Sequence, residues 1–599
     1  MIRTPLRPLA RILEARAKGE NPDAIEKQNR RLRHEQMRDA DRSRAEGRLL
    51  VLGVFFFCAF AVVGARMGML AVSEPVEPRA HAPGSIIANT RADIVDREGR
   101  ILATNLDTHA LYAQPPQMID KVGAAKKLVQ IFPDLKEERL IKDFTGKRKF
   151  LWVKKKISPE QMQAVHDIGD PGLLFAPRDM RLYPNGKLAA HVLGGASFGR
   201  EGVRAAEVIG VAGVEKYFED YLRDPANAGK PLELSLDLSV QAAAERVLEG
   251  GMTLMNAKGA TSILMDVYTG EVVSVVSLPS FDPNNRPRPA VEGDPSDSPL
   301  FNRSVQGVYE LGSTFKIFAA AQAMELGLVN PNTMIDTKGP MKVGGHRIGE
   351  FQNKNYGTLS VSKIIEKSSN RGTGRLALMI GKERQQEFLR SLGLFEKSPF
   401  EIIEASGSTP LLPPEGRYSD LSAVTISYGH GISTTAMHLA AGYAAIANGG
   451  RAVKPTLLKQ DGPQMGPRVM REEVAAASRK MLRDVVVGED GTASFGEVEG
   501  YFVAGKTGTS EKLRRGGGYY KNKNINTFAS MFPAHNPRYV LVVTMDEPVI
   551  TSGDKPRRTA GWTAVPIAGE MIRRVAPLLG MRPAIEPAGV AGITLTSSN

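Results

Sequence analysis

Cysteine is almost missing from this chain: Cys58 is the one example in 599 residues. A lone thiol has no partner for an intrachain disulfide and cannot supply the paired thiolates of structural zinc or iron–sulfur sites. Histidine is scarce as well, nine in all and never as H-E-x-x-H, which leaves metallohydrolase chemistry without its ligands. No metal and no cofactor are expected. Gly (60) and Pro (38) are too few for a collagen-like or wholly disordered chain, and no internal repeat is visible. Most of the chain should therefore fold, in roughly two to four units at about 150 residues each. Acidic residues are in deficit, 65 against 78 Lys and Arg, a net +13. That surplus would suit nucleic acid or an anionic membrane if it were clustered, so its distribution matters.

One long hydrophobic run is present. Leu49 to Ala65 carries no charge, and after Arg66 the apolar character resumes to Val72. At 1.5 Å per residue these 24 positions span about 36 Å, enough for a bilayer. The 48 residues before it hold 13 Lys or Arg and 8 Asp or Glu, whereas the 527 after Val72 carry +7, read as spread thinly. The positive-inside rule then puts the N-terminus in the cytoplasm and the remainder outside. A cleaved signal peptide fits less well: the leader and the apolar run are too long, and Ala80-His81-Ala82 is followed by Pro83. Residues 1–48 thus read as a cytoplasmic basic tail and 49–72 as an uncleaved single-pass anchor. Cys58 reads as a small apolar residue in mid-span. The Pro-rich stretch 73–84 reads as a linker.

A first folded domain is expected over 85–230 and a second over 231–580, followed by a Pro/Ala/Ser-rich disordered tail at 581–599. Leu232, Leu234, Leu236 and Leu238 alternate with polar residues as a half-buried strand, and Val240 to Leu248 then turns helical. Thr261–Val267 and Glu271–Ser277 flank Tyr268-Thr269-Gly270 as a hairpin; Thr527–Phe532 and Tyr539–Met545 form another. The pattern between the hairpins is mainly helical. Strands from both ends of a long domain enclosing helices predict an α+β fold, with a mostly antiparallel sheet and a helical subdomain.

Ser-x-x-Lys occurs at Ser313, Ser360 and Ser552, and about one or two such matches arise by chance. Context separates them. Ser313-Thr314-Phe315-Lys316 opens the run I-F-A-A-A-Q-A-M, a helix apolar nearly all round and hence buried, whereas Ser552 lies in a loop-like stretch before Pro556. On a first helical turn the amine of Lys316 faces the hydroxyl of Ser313. Burial and the positive helix end can depress its pKa enough for it to act as base to a serine nucleophile. Ser368-Ser369-Asn370 and Lys506-Thr507-Gly508-Thr509 follow in chain order. Each is common, but the ordered trio S-x-x-K, S-x-N, K-T-G is far more specific than its parts.

Two rival motifs also match. Gly500–Thr507 fits the P-loop pattern G-x-x-x-x-G-K-T, yet strand-like Y-F-V-A fills the place of the flexible cradle. Gly195-Ala196-Ser197-Phe198-Gly199 fits a nucleophile elbow, but no convincing helix follows, and a glycine-rich loop is the plainer reading.

With these motifs in place the chain resembles the class B penicillin-binding proteins, from the anchor to about Arg574. Arg91-Ala92-Asp93-Ile94-Val95-Asp96-Arg97, with Gly99 and Leu102-Ala103, is similar to the opening of that family's pedestal domain, with Ala92 in place of the usual Gly. Tyr309-Glu310-Leu311-Gly312 stands where the family has Y-E-P-G. Pro171-Gly172-Leu173, Arg181-Leu182-Tyr183-Pro184 and His191-Val192-Leu193-Gly194 resemble the division-specific FtsI branch. The resemblance implies a penicillin-binding transpeptidase fold on a mixed pedestal (dimerisation) domain. It implies a serine-type D,D-transpeptidase that crosslinks stem peptides ending in D-Ala-D-Ala and is acylated by β-lactams. A SEDS-family glycosyltransferase and other division proteins are the implied partners, with the inner membrane as location and no nucleic acid. It assigns Ser313 as nucleophile, Lys316 as base, Ser368 as proton relay, Asn370 as holder of Lys316 and the substrate amide, and Lys506 as a source of positive potential. Thr507, Gly508 and Thr509 are assigned to substrate binding, with the backbone N–H groups of Ser313 and Thr509 on the oxyanion. An elongation-type enzyme and a sensor or scaffold that acylates once without turnover remain alternatives.

Overall fold

The computed structural model describes residues 13–72, 91–201, 206–227, 229–414, 416–514 and 516–584. Two compact units divide at Ala88. In the first, α1 (Pro22–Val72) is one helix of 51 residues, about 76 Å long. It contains a stretch apolar enough to cross a membrane, Leu49–Met67, with mean hydropathy 2.3. The change at residue 48 is thus one of composition and not of backbone. No proline follows Pro22 until Pro75, and the Arg, Glu, Gln and Ala before the apolar run are themselves helix formers. The linker at 73–84 lies outside the described residues, as do 585–599 of the tail.

The second unit opens with β1 (Ile94–Val95), paired antiparallel to β2 (Ile101–Ala113). β2 also pairs with β3 (Leu151–Ile157) and β4 (Leu173–Leu182), and β5 (Gly195–Glu201) forms a hairpin with β6 (Ala206–Ala212). A satellite core including Leu111, Leu128, Phe132, Phe144 and Leu173 lies under the helices Lys121–Ile131 and Glu137–Thr145. The charge is not thinly spread here. Residues 121–157 hold 12 Lys or Arg against 4 Asp or Glu, more than the whole surplus after Val72.

β7 is shorter than the leucine alternation predicts. It covers Leu232–Glu233, parallel to β1, after which Leu234 bridges to Leu458 instead. The alternation reports burial correctly, since Leu232, Leu234 and Leu236 are all buried, but the change of partner breaks the ladder. Leu238 already belongs to α2 (Leu238–Leu254), whose N-cap Asp237 accepts from the backbone N–H groups of Ser239 and Val240.

The central sheet is antiparallel throughout. β8 (Gly259–Asp266) lies between β9 (Val272–Leu278) and the late strand β12 (Tyr539–Asp546); β11 (Tyr519–Phe532) and β10 (Ala504–Leu513) continue outward. Every residue of β8, β9 and β12 is buried, so both faces of the sheet are covered. The cover comes from α2, α6 (Ala436–Ala447) and α8 (Ala564–Leu578). The helical middle adds α3 (Lys316–Glu325), α4 (Val361–Glu366), α5 (Asn370–Ile380) and α7 (Glu472–Val487). α3 packs on α4, α5 and α7, while α7 lies against β10. The starts of α3 and α5 are thereby gathered beside the edge strand β10.

The rival motifs lose their geometry. Ser197 sits within β5 opposite Ile209, a strand where a glycine-rich loop was expected and no strand-turn-helix elbow. Gly505, Lys506 and Thr507 lie inside β10, so no helix N-terminus follows to cradle a phosphate. Ser360 caps α4, accepting from Lys363 N–H, and Ser552 falls in a loop closed by the Ile550–Arg557 bridge.

Candidate active site

Ser313 lies on a short 3-10 turn, Gly312–Phe315, which runs directly into α3 at Lys316. The expected α-helical first turn is therefore tighter, and in a 3-10 turn residues i and i+3 eclipse, which keeps Lys316 on the side of Ser313. Two glycines permit the turn to lie against β10. Gly312 has φ +57°, and a Cβ there would stand 2.9 Å from the carbonyl oxygen of Thr509; a Cβ on Gly508 would stand 2.2 Å from that of Leu311. Glu310 fastens the turn from outside. Its carboxylate accepts from Gly431 N–H (2.7 Å) and the Tyr519 hydroxyl (3.0 Å), and its carbonyl accepts from the Ser510 hydroxyl. Tyr443 donates to the carbonyl of Thr314 at 2.8 Å.

Lys316 is fully buried at the start of a mostly apolar helix. Its Nζ donates to Asn370 Oδ1 (2.7 Å), to Ser368 Oγ (3.1 Å) and to the Ser368 carbonyl. Lys506, equally buried, donates to the same Ser368 Oγ at 3.0 Å and to the Thr507 carbonyl at 3.3 Å. One hydroxyl thus stands between two amines. Burial, above all, pushes Lys316 down to about 7 against a weaker opposing pull from Glu350. Burial, and then the neighbouring Lys316, holds Lys506 well below the ordinary lysine range. Two buried cations this close do not both stay charged, so the resting pair holds fewer than two protons in excess of neutrality.

Ser368 has φ +59°, a left-handed backbone that serine adopts at a cost, and this turns its hydroxyl and carbonyl together onto Lys316. Asn370 spends one of its two amide donors on the Gly349 carbonyl (3.0 Å). Thr507 Oγ1 meets Thr492 Oγ1 at 2.7 Å, and Thr509 Oγ1 accepts from Ala560 N–H at 3.0 Å. Ser313, Lys316, Ser368, Asn370 and Lys506 are thus brought to one place, with Thr507, Gly508 and Thr509 on the adjoining edge strand. Among the described hydrogen bonds none joins Ser313 Oγ to Lys316. No group of His, Cys, Asp or Glu able to hold a metal occurs among the described residues.

The family model of the penicillin-binding protein transpeptidase domain matches residues 260–571, and that of the penicillin-binding protein dimerisation domain matches 86–229. The chain belongs to the penicillin-binding protein transpeptidase family. It is 32% identical to a probable peptidoglycan D,D-transpeptidase FtsI of Caulobacter vibrioides over 92% of each chain. Identity to the peptidoglycan D,D-transpeptidase FtsI of Escherichia coli is 28%, covering 83% of this chain and 85% of the relative. Identity to a probable D,D-transpeptidase PenA of Neisseria meningitidis is 32%, covering 77% and 80%.

Sequence reasoning left out Glu350, Thr492 and Ala560, and it gave Glu310 no role. Glu310 sits two positions before Gly312 in a stretch already singled out. Glu350 carries no signal: it is one Glu among many, and its importance arises only from the chain path that brings it beneath α5.

Proposed function

We propose that this chain is a peptidoglycan D,D-transpeptidase of the division-specific type, working through an acyl-enzyme on Ser313. The hydroxyl of Ser368 shared between Lys316 and Lys506 is the observation that carries the chemistry. Lys316 in its neutral form takes the proton of Ser313 as Oγ adds to the carbonyl between the two terminal D-alanines of a stem peptide. Collapse of the tetrahedral adduct breaks the C–N bond. The leaving amine receives a proton through Ser368, which is in contact with both lysines, and D-alanine departs. An amine of a second stem peptide then attacks the ester, returns its proton along the same path, and restores Ser313. Backbone N–H groups of Ser313 and Thr509, on turn and strand in contact, suit the oxyanion. The substrate's terminal carboxylate fits Thr507, Thr509 and Lys506, and its charge offsets the repulsion inside the lysine pair.

β-Lactams enter the same scheme as acylating mimics of D-Ala-D-Ala. The names of the FtsI relatives support a septal role, and the same role makes a SEDS-family glycosyltransferase and other division proteins its partners. A net +5 ahead of the span supports a cytoplasmic N-terminus, with the catalytic domain on the periplasmic side of the inner membrane. The deciding experiment is labelling with a fluorescent penicillin and mapping of the modified residue. The label is expected on Ser313 and absent from Ser313→Ala; a label on any other serine overturns the assignment. Repeated turnover of a stem-peptide thioester separates an enzyme from a sensor that acylates once.

A further inference from the structure

The side chain of Glu350 is buried directly beneath the Ser368–Asn370 motif. One carboxylate oxygen accepts from the Ser369 hydroxyl (2.5 Å) and from Arg371 N–H (3.1 Å), and the other from Asn370 N–H (2.7 Å). The neighbouring Gly349 carbonyl holds the Asn370 side-chain amide. The backbone N–H groups of Asn370 and Arg371, the Ser369 hydroxyl and one donor of the Asn370 amide are therefore tied to residues 349 and 350, and Ser369 also caps the helix through Gly372 N–H. The backbone is strained on both sides of this contact. Ser368 has φ +59°, and Gln352 and Asn353, just after Glu350, both have φ +56°. Three non-glycine residues in left-handed conformation persist only where the surroundings hold them, and a plain helix cap needs none of them.

We infer that Glu350 is a positioning residue for acylation: it holds Asn370, and through Ser369 the adjoining Ser368, against Lys316 and sets a negative charge against that buried amine. Its position beside an amine with a like-charged neighbour explains why the site contains a carboxylate rather than a neutral cap. Burial and Lys506 both drive protons off the pair, and a base driven too far down is a weak base. Glu350 pulls the other way, favouring the protonated amine, and so keeps Lys316 from falling further below its ordinary range. Other charged groups on the surrounding elements are engaged elsewhere. Arg371 on α5 donates to the Ile348 and Thr337 carbonyls, Lys363 pairs with Glu366 on α4, Lys367 pairs with Asp490, and Arg471 before α7 pairs with Glu325. Among the described residues, Glu350 and Lys506 are the charges that bear on Lys316.

Resting on the acylation chemistry proposed above, the test measures single-turnover acylation by a fluorescent penicillin against pH in the detergent-solubilised full chain. Glu350→Gln is expected to move the acidic limb to lower pH by about half a unit or more, because an attractive charge is lost. The plateau is expected to fall about tenfold as Ser368 and Asn370 loosen and the base weakens. Glu350→Asp keeps the charge one methylene further away, so its limb should move in the same direction by less, and it serves alone if the Gln variant does not fold. A limb that stays in place while only the plateau falls makes Glu350 a structural cap and overturns the inference. So does a limb that moves to higher pH. Wild type that labels nowhere, or away from Ser313, removes the acylation reading itself, which keeps the two failures distinct.

Discussion

Two clusters of buried charge in the folded unit are treated in opposite ways. In the first domain Glu215 is completely buried and accepts from Arg91 (2.6 and 2.9 Å), Arg181 (2.6 Å) and the Tyr183 hydroxyl (3.2 Å). Glu219 adds a second acceptor for Arg91 at 3.0 Å. Two cations meet two anions. Burial opposes the charge on Arg91, yet Glu215 and Glu219 more than offset it and hold the guanidinium above its ordinary range. At the candidate active site two equally buried lysines meet at one shared hydroxyl, with Glu350 the one carboxylate acting on Lys316, and both are pushed toward neutrality. The balanced cluster is structural. The unbalanced one carries its charge at a cost to stability, which is the condition the proposed role of Lys316 as base requires.

The comparison breaks most visibly at Glu215. Glu215→Gln leaves Arg91 and Arg181 buried without their shared counter-ion, and such losses cost about 3–5 kcal/mol. A large fall in the unfolding midpoint is expected, with little change in the acylation limb of whatever material folds. An unchanged midpoint would mean that the pedestal cluster is dispensable.

Lys316→Met attacks the other cluster. Acylation is expected to fall about a thousandfold or more, the range for a lost general base, measured as single-turnover labelling. Stability should respond differently from the Glu215 case, because Lys316 is a liability to the fold. A lysine whose pKa is about 7 in the folded chain against 10.5 as its ordinary value leaves the unfolded chain binding more protons between those limits. Stability from this group therefore rises with pH from about 7 upward, and below 7 its full penalty, on the order of 5 kcal/mol, applies. Wild type is expected to gain midpoint between pH 7 and 9.5, and Lys316→Met to gain distinctly less. Parallel profiles would show that the amine is charged in the fold at neutral pH.

How far these two clusters were legible in the sequence differs for physical reasons. The candidate catalytic residues sit in short local motifs, S-x-x-K, S-x-N and K-T-G, so spacing exposes them even though 190 residues separate Lys316 from Lys506. The sheet hairpins and the buried helix after Ser313 follow from periodicity for the same local reason. Glu215 and Glu350 belong to no local pattern, and only tertiary folding brings Glu215 to Arg91 across 124 positions. The β5 strand was hidden because glycine at 194 and 195 mimics a loop, while the pairing partner Ile209 lies beyond the segment read. β7 failed in the reverse sense: alternation recorded which leucines are buried and said nothing of the change of partner at Leu234.

The smallest effect concerns the sharing of a proton. With both lysines present, a singly protonated pair has a competent microstate in which Lys506 holds the proton and Lys316 is neutral. Lys506→Gln deletes that microstate, so Lys316 must lose its own proton to the solvent before it can act. It also removes a neighbouring cation that disfavours charging Lys316. Both consequences have one sign, and the acidic limb of single-turnover acylation should move to higher pH by about half a unit, alongside a lower plateau from weaker carboxylate binding. The limb reports the base and the plateau reports binding and chemistry, so the two are separable in one profile. Glu350→Gln moves the limb the opposite way, and the double variant, losing one charge of each sign, should lie between the single ones. A limb for Lys506→Gln that stays put, or moves to lower pH, would place the controlling proton on a group other than the lysine pair.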